Sequence, residues 1–153
     1  MESGLQKTLM LIKPDAVEKG RIGAILDRAE KSGFRILDLR MSKWAPQDAS
    51  VFYAMHEGKP FFEGLVEFMS SGAVVGAMLE RADAVNYLRA ISGPTDSRHA
   101  PKGTIRGDFG TDNRRNAVHA SDSPESAARE IALFFGQGAG GSCPAWCAVP
   151  QVT

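Results

Sequence analysis

The chain reads as an α+β fold, one sheet with helices packed on it. Strand-like runs come mixed with pairs of helical segments rather than in strict alternation, which disfavours a doubly wound parallel sheet. No Walker-A loop is present, and no strand-like run leads into a G-x-G-x-x-G turn that opens a helix, which removes the two commonest nucleotide-binding folds. A length of 153 residues suits one domain with a core that needs no staples, so residues 1–153 are taken as a single domain with 136–153 as its tail.

Each element has its own warrant. Thr8 to Ile12 is a short apolar run ended by Lys13-Pro14-Asp15, a strand and a turn. Ile22, Ile25, Leu26 and Ala29 recur at helical spacing, so Arg21 to Ser32 is an amphipathic helix stopped by Gly33. Phe34 to Ser42 alternates, with Arg35, Leu37, Leu39 and Met41 on one side against Ile36, Asp38 and Arg40. Pro46 opens a helix to about Met55, His56 to Pro60 is a loop, and Phe61 to Ser70 is a further helix stopped by Gly72. Ala73 to Leu79 is a strand, and Ala82 to Ile91 a helix closed by Ser92-Gly93-Pro94. Pro94 to Arg115 lacks periodicity and is rich in Gly, Pro, Asp and Arg. A loop that long in a compact domain is usually functional.

Composition narrows the class. Eighteen Lys and Arg balance eighteen Asp and Glu, so no global charge draws the chain to nucleic acid or to an anionic membrane. Phosphate affinity must then come from a local cluster. No apolar run approaches the ~20 residues of a membrane span, and the N-terminus lacks a signal-peptide layout, so a cytoplasmic protein is expected. Cys143 and Cys147 are the only cysteines, too few for a four-ligand zinc site, and are expected as free thiols or as a bridge between subunits.

The chemistry concentrates between Asn116 and Glu130. Ala117-Val118 suits a strand end, while Asp122 and Ser123 are N-cap types, Pro124 fits the first helical position and Glu125 reinforces the first turn. Ala127, Ala128, Ile131, Ala132 and Phe135 supply an apolar helical stripe. His119 therefore falls on the turn between strand and helix, near a helix N-terminus where anions are favoured. A neutral imidazole there could attack phosphorus, with Ser121 and Glu130 as candidates to fix its tautomer. A lone His on such a turn is more often structural.

The pattern Asn116-x-x-His119-x-Ser121-Asp122-Ser123-x-Glu125-Ser126-Ala127-x-Arg129-Glu130-Ile131 resembles the active-site signature of the nucleoside diphosphate kinases. The likeness runs from about Lys7 to Phe135. Thr8 to Asp15 resembles that family's opening strand, with Lys13 as the phosphate-binding lysine. His56-Glu57-Gly58-Lys59-Pro60-Phe61-Phe62 resembles the loop whose first phenylalanine, Phe61, stacks on the base, and Tyr53 matches a tyrosine near the nucleophile. Arg89, Thr95, and Arg106 within Lys102 to Phe109 match phosphate-contacting positions, and Asn116 a sugar contact.

The resemblance implies a ferredoxin-like βαββαβ core with an antiparallel sheet. It also implies ping-pong transfer of a γ-phosphate between nucleoside triphosphates and diphosphates, with His119 as phosphohistidine oriented by Glu130 and Ser121. Mg²⁺ is expected mainly on the nucleotide phosphates, with no dedicated protein ligand set. Stacking without base-edge readout predicts tolerance for any base. No specific nucleic acid and no membrane are expected as partners, and a homo-oligomer, tetramer or hexamer, is. Two departures stand out: Ala120 where many members have Gly, tolerable if its φ is negative, and Asn113 where the base side is often apolar.

Overall fold

The computed structural model describes residues 4–136. The expectations about Cys143, Cys147 and the tail beyond Gly136 lie outside the described residues. Four strands, β1 (Leu5–Ile12), β2 (Arg35–Lys43), β3 (Ala73–Ala82) and β4 (Val118–Ala120), form one antiparallel sheet in the order β2-β3-β1-β4. The helices are α1 (Pro14–Glu18), α2 (Ile22–Lys31), α3 (Pro46–Phe52), α4 (Phe62–Met69), α5 (Ala84–Ser92), α6 (Ile105–Phe109) and α7 (Pro124–Phe135). Taken as β1-α2-β2-β3-α5-β4, this is the ferredoxin-like core, with α3 and α4 inserted between β2 and β3.

Side-chain alternation along β1 explains how the sheet is covered. Met10 and Ile12 pack with Val75, Ala77 and Leu79 against Ile25 and Ala29 of α2 and Leu88 of α5. Leu9 and Leu11 point the other way, with Val74, into Phe52, Val66, Met69 and Phe134. Both faces of the central strands are therefore buried, and Leu9 to Ile12 reads as an unbroken apolar run. On the second face α7 lies close to the sheet because residue 76 is glycine: a Cβ there would stand 2.2 Å from the ring of Phe134.

Three expectations need correction. The helix from Pro46 ends at Phe52, and Ala54–His56 tightens into a 3₁₀ turn, with the His56 N–H bonded to Tyr53 O at 2.8 Å. This follows burial of the Tyr53 ring at the helix end. The stretch from Pro94 to Arg115 is not structureless: it holds a 3₁₀ turn at Ser97–His99 and α6, whose N-cap Thr104 accepts from the Gly107 N–H at 3.0 Å. Five residues are too few for periodicity to reveal. In β2 a bulge falls between Ile36 and Asp38, so Ile36 pairs with Leu79 while Leu39 and Met41 pair with Ala77 and Val75. Simple alternation had put Ile36 on the opposite side from Leu39 and Met41. Among the described residues no helix is long and apolar enough to cross a membrane.

Candidate active site

His119 is not on a turn. It is the middle residue of β4, paired with Leu11 of β1, and so faces the same side as Leu11, toward α3, α4 and α7. A three-residue strand shows too little alternation for sequence to locate its end. Helix α7 then begins as expected: Ser123 caps it by accepting from the Ser126 N–H at 3.0 Å, with Pro124 and Glu125 in the first turn. Ala127, Glu130 and Phe134 form its buried face, and this spacing aims Glu130 at β4.

The carboxylate meets the imidazole there. Glu130 Oε1 lies 2.7 Å from His119 Nε2 and accepts from the Ser121 hydroxyl at 2.8 Å. Glu130 is only 3% exposed. Burial alone would raise its pKa, but the hydrogen bonds and charge of His119, with Ser121, outweigh that and hold it below the usual Glu value. An ionised acceptor fixes the proton on Nε2 and leaves the lone pair on Nδ1. Phe52 and Tyr53 set the ring's plane from the side, edge-on, with centroids 5.3 and 5.6 Å away. Burial raises the Tyr53 phenol far above its ordinary range, so it stays protonated.

Cations come from three separate elements. Lys13, at the end of β1, is buried; its ammonium donates to Asn116 Oδ1 at 2.8 Å and to Arg114 O at 2.9 Å. Desolvation lowers its pKa to about 8, and the nearby guanidinium of Arg106 adds to the effect while Asp15 opposes it. Arg106, on α6, donates to Gly93 O at 2.8 Å and Val118 O at 3.0 Å. Burial, then repulsion from Arg89, brings it down to about 10. Arg89, in the last turn of α5, reaches Ala120 O at 3.5 Å. Asn116 also donates to Thr95 O at 2.9 Å, tying the β4 approach to the loop after α5.

These groups open onto one cleft of about 660 Å³, lined by Lys13, Tyr53, Phe61, Arg89, Thr95, Arg106, Asn116, His119 and Glu130 among others. Of the residues the sequence singled out, only Ser121 is absent from that wall, being fully buried behind Glu130. Phe61, the residue before α4, is 44% exposed, whereas Phe62 packs into the core. Asn113 lines the cleft, and the backbone at Ala120 avoids positive φ. A second hollow, about 730 Å³, lies beside Asp15, Lys19, Phe68 and Arg115 and contains none of the singled-out residues.

Some lining residues had not been foreseen. His56, set aside as a loop residue, lines the cleft with its ring 5.2 Å from that of Phe61 and 6.3 Å from that of Tyr53. Asp122 had been assigned only to helix capping, yet it lines the cleft and is held below the usual carboxylate range by the Ser126 hydroxyl. Arg114 also lines it, its guanidinium lying against α4 where Gly64 leaves room.

Known proteins are similar to this chain in sequence and fold. The family described as nucleoside diphosphate kinase matches residues 6–139. A nucleoside diphosphate kinase of Aquifex aeolicus is 53% identical over 134 residues, covering 86% of this chain and 94% of its own length. One from Staphylothermus marinus is 50% identical over 130 residues, covering 85% and 92%. A crystal structure of the Aquifex aeolicus enzyme superposes with a TM-score of 0.83 at 51% identity, over 86% of this chain and 95% of that one. The nucleoside diphosphate kinase of Halobacterium salinarum in complex with CDP superposes equally, TM-score 0.83, at 42% identity over 86% and 88%. With similarity this high over nearly all of the described residues, the chain belongs to the nucleoside diphosphate kinase family and is a phosphotransferase.

Proposed function

We propose that this kinase moves the γ-phosphate of a nucleoside triphosphate to a nucleoside diphosphate in two half-reactions through a phosphohistidine at His119. The lone pair of Nδ1 attacks the γ-phosphorus, the bond to the β–γ bridging oxygen breaks, and its electron pair leaves with the diphosphate. A terminal β-phosphate oxygen of the acceptor then attacks the same phosphorus, and the N–P bond breaks to restore the imidazole. Glu130 holds the Nε2 proton throughout and offsets the positive charge that grows on the ring. Lys13, Arg89, Arg106 and the Thr95 hydroxyl neutralise and align the phosphates, which is most of what this chemistry asks of a protein. Phe61 stacks on the base, Asn116 holds the sugar, and Tyr53 keeps the imidazole plane fixed. The observation that carries the reading is the 2.7 Å bond between Glu130 and His119 Nε2, which supports the tautomer with its lone pair on Nδ1.

The donor set fits a Mg²⁺ ion brought in on the phosphates. Among the described residues no group of three or more His, Cys, Asp or Glu side chains is placed to hold a metal. Glu130 is committed to His119 and Ser121, so Asp122 is the lining carboxylate left to hold the ion's water shell. When bound, the ion spreads the negative charge of the phosphoryl oxygens.

The proposal includes a cytoplasmic location and assembly into a homo-oligomer. Supporting the latter, β2 is an open sheet edge on which Leu39 and Met41 remain 45% and 57% exposed.

Incubation with γ-labelled ATP tests the mechanism. Acid-labile, base-stable label should appear on the protein and leave on addition of any nucleoside diphosphate. His119→Ala should take up no label while still binding nucleotide. Transfer by His119→Ala near the unsubstituted rate would rule out the covalent route.

A further inference from the structure

Two non-glycine residues among those described have positive φ: Asp83 at 53° and Ala117 at 72°. Ala117 lies two residues before the nucleophile. The Val118 N–H bonds to Asn116 O at 2.8 Å, so Ala117 is the centre of a three-residue turn of the strained hand. Left to itself an alanine avoids this conformation, by roughly five- to a hundredfold in population. Something must hold it.

Both backbone groups of Ala117 are held by the corner that follows β1. Its carbonyl accepts from the Lys13 N–H at 2.8 Å, and its N–H donates to Asp15 Oδ2 at 3.1 Å. Asp15 is 7% exposed, and its other oxygen, Oδ1, is buried without a partner. A carboxylate with one oxygen unpartnered in the interior is costly to hold there, and the Ala117 N–H is the long-range hydrogen bond that offsets the cost. Asp15 is not among the residues lining the cleft; besides its charge effect on Lys13, it reaches the site through the backbone of Ala117. Were the Asn116–Ala117 peptide to relax, Asn116 would swing away from Lys13 Nζ and the start of β4 would rotate, taking His119 off its bond to Glu130.

We infer that Asp15 is a positioning residue for His119, clamping Ala117 in its left-handed turn so that β4 presents the imidazole to Glu130 and the cleft. This rests on His119 as the phosphoryl acceptor, a point that labelling of the unsubstituted enzyme tests separately. The clamp makes a specific demand. If Asp15 matters because it enforces a positive φ, a residue with no objection to positive φ should make it dispensable. Glycine is that residue.

Four enzymes are compared by single-turnover labelling at saturating ATP, by KM, and by thermal melting: Asp15→Ala, Asp15→Asn, Ala117→Gly and the double variant Asp15→Ala/Ala117→Gly. Asp15→Ala should label roughly ten- to a hundredfold more slowly at saturation. Asp15→Asn, whose amide oxygen still accepts the Ala117 N–H, should stay within about fivefold of the unsubstituted rate, and Ala117→Gly within about twofold. The double variant should recover most of the loss. Normal labelling by Asp15→Ala overturns the inference, as does a slow double variant. An Asp15→Asn enzyme as slow as Asp15→Ala would mean that charge, not the backbone bond, is what counts, and also overturns it. Should Asp15→Ala fail to fold, the double variant decides: folded and active supports the clamp, unfolded refutes it. If the unsubstituted enzyme takes no label at His119, the mechanism fails instead.

Discussion

A single oxygen, Glu130 Oε1, serves both His119 Nε2 at 2.7 Å and the Ser121 hydroxyl at 2.8 Å. The sharing explains why a buried acid sits on a helix face otherwise made of Ala127 and Phe134. It also bears on tautomer choice. Glu130→Gln can present its amide N–H₂ to the ring, which would place the imidazole proton on Nδ1 and occupy the attacking lone pair. The phosphorylation rate should fall by about a hundredfold or more, whereas Ser121→Ala, which removes only a support, should lose about tenfold or less. Single-turnover labelling reads both. A Glu130→Gln enzyme within a fewfold of the unsubstituted one would sink the orienting role.

Lys13 gives the pH dependence a sign. Burial lowers its pKa to about 8, so in the free enzyme the ammonium is lost as pH rises through 8. kcat/KM, which reports free-enzyme ionisations, should therefore decline on an alkaline limb near that value. Lys13→Arg should move the limb upward, at reduced activity, because a guanidinium does not deprotonate there. Stability runs the opposite way. Below about 8 the residue is charged in both states and the fold bears the burial penalty. Between about 8 and the ordinary lysine value the unfolded chain binds the extra proton, so this group's contribution to stability rises with pH. A kcat/KM profile flat to pH 10 would contradict the assignment.

Much of this candidate site is legible in the sequence, for reasons that differ by residue. The helix start at Ser123 speaks locally through its cap, proline and apolar stripe. The roles of His119 and Glu130 are read through resemblance, since a lone His beside a helix start is more often structural. Lys13, Arg89 and Arg106 were legible only through resemblance, because a cation at an element's end has no periodicity to distinguish it. What stayed hidden was set by tertiary contact. Ala117 gives no sign of a positive φ, since that φ is held by Asp15, 102 positions away. His56 reaches the cleft because the chain tightens after Tyr53, and the bulge in β2 changes which residues face together without changing composition.

Phe61 stands at the mouth of the cleft, 44% exposed, with the Lys59 ammonium 5.8 Å from its ring centroid. Stacking on an aromatic face is worth about 1–3 kcal/mol per base. Phe61→Ala should thus raise KM roughly ten- to a hundredfold, by similar factors for purine and pyrimidine substrates, and leave the melting temperature nearly unchanged. A loss confined to one base, measured across a panel of diphosphates, would show that base edges and not the π-face are being read.

Arg106 holds two carbonyls at once, Gly93 O at 2.8 Å from the loop after α5 and Val118 O at 3.0 Å on β4. Its planar fork can do this and still face the cleft, and despite a pKa brought down to about 10 it remains charged at neutral pH. A lysine is a point donor on a flexible stem and cannot hold both carbonyls while meeting a phosphate. Arg106→Lys should lower kcat/KM by about a hundredfold, the usual size for losing one preorganised donor at a transition state. It should also destabilise the fold by about 1 kcal/mol, since one part-buried carbonyl is left unpaired. The two effects separate: denaturant midpoints report the carbonyls, and single-turnover rates at saturating nucleotide report the phosphate. A lysine variant that loses stability but keeps its rate would make Arg106 a strut between α5 and β4, with no part in the transfer.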